Sequence, residues 1–228
     1  MPSTPRVAVE QAYRPSGRFA YLAGAAAALI LLSVLPFCLA PEMQVFYLSE
    51  GGPIQVLSAA GYLVVATTLI REMSAADLSK SWYLVLIPIA MCLREMDFHA
   101  HFTTYNITNT LLYVSPEVPF VEKIFGVSVF AVLGIAGYFL AVNHTSSFVR
   151  NLRRRDFTSM AIAAAMISAV ASKTLDGAAS NLSFLGIDIS STFFSMVIEE
   201  VLELGIPIFL ATAAFSYVGR QKPRAMPH

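Results

Sequence analysis

Apolar residues run almost without interruption through six stretches of the chain: Phe19 to Ala40, Pro53 to Ile70, Lys80 to Phe98, Ile124 to Val142, Phe157 to Asp176 and Ser191 to Val218. Crossing a hydrocarbon core of about 30 Å takes about 20 mostly apolar residues in a helix. The pattern therefore predicts an all-α, polytopic membrane protein, a six-transmembrane-helix bundle. Two stretches, Lys80 to Phe98 and Phe157 to Asp176, begin apolar and end in charge. A polar arm (1–18) precedes the bundle (19–218) and a short tail (219–228) follows it, with no internal repeat between them. The first apolar run is longer than a typical secretory core, so it reads as an uncleaved anchor.

Basic residues orient the bundle, because positively charged loops stay on the cytoplasmic side. With the amino terminus inside, all of the 15 lysines and arginines except Arg94, Lys123 and Lys173 fall in the arm, the inner loops or the tail. An even number of spans returns the carboxyl terminus to the same side, so both termini are expected to be cytoplasmic. The longest outer connection, His99 to Glu122, mixes polar residues with Leu111 to Val114 before Pro116 and Pro119 and could lie on the membrane as a lid.

Composition fits this pattern. Of 228 residues, 56% are hydrophobic and 13% charged, with a mean hydropathy of +0.64, which excludes an ordinary soluble or disordered chain. The formal net charge is zero, so no global field points to nucleic acid. Cys38 and Cys92 stand alone in apolar runs, without disulfide or zinc spacing. A plasma membrane, that of a bacterial inner membrane, is the expected location.

Charge inside the spans carries the functional expectation. Counting inward from Ser191 at about 1.5 Å per residue, Glu199 lies about 12 Å deep and Glu203 about 18 Å deep. An ionised group at that depth costs about 2.5 to 3.5 kcal/mol to insert, so an intramembrane glutamate reads as functional by default. At about 100° per residue, Glu199, Glu200 and Glu203 share one helix face. Other ionisable residues end at a similar depth: Glu50 opens the second span, Arg94, Glu95, Asp97, His99 and His101 close the third, and Lys173 and Asp176 close the fifth. Arg94, Asp97 and His101 share one side of a continued helix, and Glu95 and His99 form an i, i+4 pair. Carboxylates outnumber Arg94 and Lys173, whereas a purely structural ion-pair network approaches balance. The excess points to a bound divalent cation, shared protons, or both.

Three functions fit these residue types. The first is an intramembrane, metal-assisted hydrolase or transferase for a lipid or lipid-linked substrate. There Glu95, Glu199, Glu200 and Glu203 are the catalytic candidates, and Arg94, Lys173, Glu50 and His101 bind substrate. His99, Asp97 and Asp176 hold the metal ion. The second is a small proton- or cation-coupled transporter or channel, in which association into a homo-oligomer would complete a path. The third is a non-catalytic assembly partner whose cluster fixes helix packing. Arg94 with Asp97, and Lys173 with Asp176, also read as plain helix-end ion pairs.

Ile198-Glu199-Glu200-Val201 resembles the double glutamate of intramembrane CAAX-type proteases. No arginine follows three residues after the pair, however, and no histidine motif comes later. The spaced carboxy-terminal histidines of ceramidase-like hydrolases are absent too, so the residues assign the chain to no family. Serines near the cluster lack a Gly-x-Ser-x-Gly elbow.

The topology is testable by thiol labelling in a background free of Cys38 and Cys92. A cysteine introduced at Ser115 is expected to react with impermeant reagent from outside, and one at Arg153 only from inside; the reverse pattern overturns the orientation.

Overall fold

The structure is a computed structural model describing residues 15–49, 51–98, 102–183 and 193–221. All regular structure among these residues is helical: α1 (Pro15–Val34), a 3₁₀ turn (Leu35–Cys38), α2 (Pro41–Leu48), α3 (Pro53–Glu72), α4 (Ala75–Lys80), α5 (Tyr83–Glu95), α6 (Leu111–Val114), α7 (Phe120–Arg153), α8 (Phe157–Ser183) and α9 (Phe193–Gln221).

Local chemistry explains the breaks. Pro41 and Pro53 occupy the first helical positions of α2 and α3, where a missing N–H costs nothing. Gly51 takes φ +73°, a left-handed turn that favours glycine, and a Cβ on Gly52 would sit 2.6 Å from the Ser49 carbonyl oxygen. Ser74 caps α4 by accepting from the Asp77 N–H. Between α7 and α8 only Arg154, Arg155 and Asp156 intervene, with Arg155 at φ +54° and Asp156 accepting from the Ser159 N–H at 3.3 Å.

α9 is the spine. It packs most extensively on α8 and α3 and also on α1, while α3 carries α5 on its other flank and α5 in turn carries α7. The α8–α9 contact uses small residues: Ala161, Ala165, Ser168 and Ser172 are buried at helical spacing, and a Cβ on Gly205 would lie 3.1 Å from the Ser168 hydroxyl. Val197, Val201 and Leu204 of α9 join Leu29 of α1, Ile54 of α3 and Ala165 of α8 in one apolar cluster. A second unites Val65, Ala66 and Leu69 of α3 with Val85 of α5 and Ala214 of α9. Gly61 lets α3 approach the Pro207 ring of α9.

Among the described residues, four helical stretches are long and apolar enough to cross a membrane: Phe19–Cys38, Pro41–Glu72, Phe120–Arg153 and Phe157–Leu175. Only 11% of the apolar windows in the first and third is buried, so these two stretches present hydrocarbon outward over most of their surface. Contiguous exposed apolar surface of that kind needs an apolar surrounding. The sequence-predicted stretches fall mainly on helix among the described residues, but their bounds differ: the fourth, 124–142, lies inside the 34-residue α7, and the fifth continues to Ser183. The third, however, is broken at Ser81-Trp82 into α4 and α5, and α5 at 13 residues is only about 20 Å long.

One correction follows. α5 stops at Glu95: the Met96 and Asp97 N–H groups turn back onto the helix end, and Asp97 adopts φ +47°. Asp97 therefore does not share a helical face with Arg94, as expected from a continued helix, while His101 lies outside the described residues.

At Gly61 a Cβ would fall 2.9 Å from the Cβ of Pro207, whereas at Gly134 it would meet nothing within 4 Å. Gly61→Ala is expected to cost about 1–3 kcal/mol through overpacking against a rigid ring. Gly134→Ala should be neutral or slightly stabilising. Thermal unfolding in detergent compares them, and equal midpoints would refute the close approach.

Candidate functional site

Four helices bring polar groups together at the Glu95 end of the bundle. α3 contributes a stripe at helical spacing, Gln55, Ser58 and Tyr62, which continues as apolar Val65, Ala66 and Leu69 toward its other end. Ser58 and Tyr62 are fully buried. Gln55 donates to the main-chain carbonyl of Glu95 and accepts from the Gly51 N–H, so it ties the end of α5 to the turn that opens α3.

Glu203 of α9 is the centre of convergence. The Arg94 guanidinium of α5 reaches both of its carboxylate oxygens, at 3.4 and 3.5 Å. The Ser172 hydroxyl of α8 donates to Oε1 at 3.1 Å, and the Lys173 ammonium lies 3.8 Å from the same oxygen. Arg94 also pairs with Glu95 Oε1 at 3.5 Å. Pro207 has no N–H to give the Glu203 carbonyl four residues earlier, so α9, though continuous, lacks one helical hydrogen bond just where its charge is concentrated. Glu200 shares this environment, within electrostatic reach of Glu203, Glu199 and Glu95.

Exposure sorts the charges. The Glu95 and Glu203 side chains are 7% and 17% exposed, but those of Arg94 and Lys173 are 48% and 58% exposed. The carboxylates form the floor of the site and the cations its mouth. α5 does not pack extensively on α8 or α9, so side chains rather than backbone span the distance between Arg94 and its partner.

Of the residues singled out from the sequence, Arg94, Glu95, Lys173, Glu200 and Glu203 are thus brought together. Glu199 is half-buried on the same helix, and Asp97 is exposed beyond the end of α5. Glu50, His99 and His101 lie outside the described residues; Asp176 falls on α8, where only its backbone is described. Among the described residues, no group of three or more His, Cys, Asp and Glu side chains converges as a metal site. Lys123 has a structural contact instead: its ammonium donates to the Ser115 carbonyl at 2.7 Å, while Glu122 accepts from the N–H and hydroxyl of Thr104. These bonds fasten the described part of the predicted lid (102–119) to α7, and the Tyr113 hydroxyl, donating to the Ile107 carbonyl, ties that segment to itself.

Sequence reasoning missed Gln55, Ser58 and Tyr62, and it set Ser172 aside as an ordinary membrane-helix serine near the cluster. A polar triplet at i, i+3 and i+7 in an otherwise apolar span was the available signal for the first three. Ser172 carried none beyond its place next to Lys173.

Comparison with family models, with curated proteins and with solved structures finds no match to this chain.

Arg94 and Glu203 should be energetically coupled. In a double-mutant cycle with Arg94→Gln and Glu203→Gln, a coupling of about 0.5–3 kcal/mol is expected from thermal or denaturant unfolding. Strict additivity would show that the contact contributes nothing.

Proposed function

We propose that the chain is a six-span plasma-membrane protein with cytoplasmic termini and that it works as an intramembrane hydrolase or transferase on a lipid or lipid-linked substrate. One observation carries this reading: two half-exposed cations from separate helices stand over buried carboxylates in a bundle whose outer helices are apolar. A merely structural pair would bury its cations with its anions or leave both in water.

In this reading Arg94 and Lys173 hold the anionic part of the substrate or the oxyanion that develops during reaction. Glu200 or Glu95 takes a proton from the attacking water or hydroxyl as its oxygen bonds to the electrophilic centre. The leaving oxygen receives a proton in turn from a carboxylic acid of the same set. Glu203 positions both cations and Ser172. Gln55 holds the end of α5 so that Arg94 stays within reach of Glu203.

A second reading has its own support. α9 runs on through Pro207, whose missing N–H leaves the Glu203 carbonyl without its helical donor, and a freed main-chain acceptor beside an intramembrane carboxylate favours a proton- or cation-coupled carrier.

Reconstitution in liposomes of mixed lipids, followed by mass spectrometry of the lipid fraction, tests the first reading. A product lipid is expected with the unaltered protein. At least about a hundredfold less is expected with Glu200→Gln or Glu203→Gln, the scale of losing a general acid or base. Unchanged lipids together with a glutamate-dependent proton or cation flux would reject the enzyme in favour of the carrier.

A further inference from the structure

We infer that Arg94, Lys173 and Asp97 form a laterally open receptor for a zwitterionic phospholipid headgroup, with the phosphate bridging the two cations and the ammonium on Asp97. The inference rests on the membrane-enzyme reading above and names its substrate class.

The pair has the geometry of one phosphate site. The Arg94 and Lys173 nitrogens touch the same oxygen of Glu203, so they are close enough to share a single anion. They come from α5 and α8, and both remain half exposed in that arrangement, so an approaching phosphate meets them before it meets the carboxylates behind. Arginine adds a planar fork suited to phosphate, and lysine a mobile point charge.

The surroundings select a lipid. On α8, Met166, Ile167 and Val170 form an exposed apolar stripe leading to Lys173; beside Arg94, Leu93 and Met96 are exposed as well. Hydrocarbon chains lying along those surfaces would carry a headgroup to the cations from the side. α7 precedes α8 in the chain and packs only to a limited extent on either α5 or α8.

Charge selects a zwitterion. A purely anionic headgroup would bring no positive charge to the carboxylates around the two cations, and a purely cationic one would be repelled at the mouth. Asp97 resolves this. It is exposed, its N–H returns to the Arg94 carbonyl at 3.0 Å, and its φ of +47° turns it off the end of α5. Asp97 therefore leaves the helix three residues beyond Arg94, with its carboxylate exposed and within electrostatic reach of Glu95. In a phospholipid the ammonium lies beyond the phosphate on the side away from the acyl chains.

The test uses the full chain, purified in detergent, delipidated and titrated with phosphatidylethanolamine, phosphatidylglycerol or diacylglycerol, with bound lipid counted by native mass spectrometry. Phosphatidylethanolamine is expected to bind at least about tenfold more tightly than the other two, the scale of one charge-assisted hydrogen bond. Arg94→Gln with Lys173→Gln should remove that preference by weakening phosphatidylethanolamine at least about tenfold. Arg94→Lys with Lys173→Arg keeps both charges and should retain binding, which separates loss of the site from loss of fold. Asp97→Asn should bring phosphatidylethanolamine and phosphatidylglycerol to equal affinity. Equal retention by the double glutamine variant, or equal binding of the two phospholipids by the unaltered chain, overturns the inference. Full displacement by soluble phosphoethanolamine at comparable concentration would assign the site to a free ligand instead of a lipid. Lipid binding of the expected pattern without any lipid product would sink the enzymatic reading and leave the receptor standing; product formation undiminished in the double glutamine variant would do the reverse.

Discussion

The architecture turns on the cost of holding the Glu203 carboxylate inside an apolar bundle. An isolated ionised carboxylate in a low-dielectric interior is expensive by several kcal/mol even after relaxation, so partners must be brought to it. Three donors do this: Arg94, Ser172 and Lys173, from two helices that meet neither each other nor α9 in the same way. Ser172 and Lys173 arrive through close packing of α8 on α9. Arg94 arrives across a space that α5 does not fill, and its reach depends on α3 holding α5 at the right height.

That dependence makes the backbone of α3 part of the site. Gln55 spends both ends of its amide on main chain, one on the Gly51 turn and the other on the carbonyl of Glu95. α5 packs along α3, and the fixed C-terminal carbonyl then sets where Arg94 and Glu95 stand. Lower on α3, Gly61 against Pro207 fixes the distance to α9. The same proline withholds a donor from the Glu203 carbonyl. The close contact and the missing hydrogen bond are therefore one feature, and they sit one turn from the charge they serve.

Much of this was legible in the sequence, and the limits have physical causes. Helix positions followed from apolar run length because hydrocarbon tolerates few other structures. The glutamates on α9 stood out for the same reason, as did Arg94 and Lys173 at the charged ends of their runs. Run length could not show that α5 ends at Glu95, because that end is made by the left-handed turn at Asp97, a residue type that also occurs inside helices. Nor could it show that Lys123 serves the Ser115 carbonyl, since a lysine opening a span looks the same whether it faces a site or a loop. The partners of Glu203 were hardest to read. Ser172 is an ordinary serine in an apolar run, and only the approach of α8 to Gly205 turns its hydroxyl toward a carboxylate.

The remaining asymmetry is between floor and mouth. Burying Glu95 and Glu203 while leaving Arg94 and Lys173 half exposed is a poor arrangement for stability alone, because water screens the cations and weakens their attraction to the carboxylates. Replacing the set by apolar residues of similar volume would remove the desolvation cost at little loss of packing. What such a replacement would also remove is a pair of cations held at fixed separation by a carboxylate that cannot leave. A ligand anion arriving at that pair meets side chains already ordered, so part of the entropy of binding has been lost in folding. Glu203 thus does two things with one carboxylate: it stabilises the meeting of α5, α8 and α9, and it keeps Arg94 and Lys173 poised together at an opening between helices.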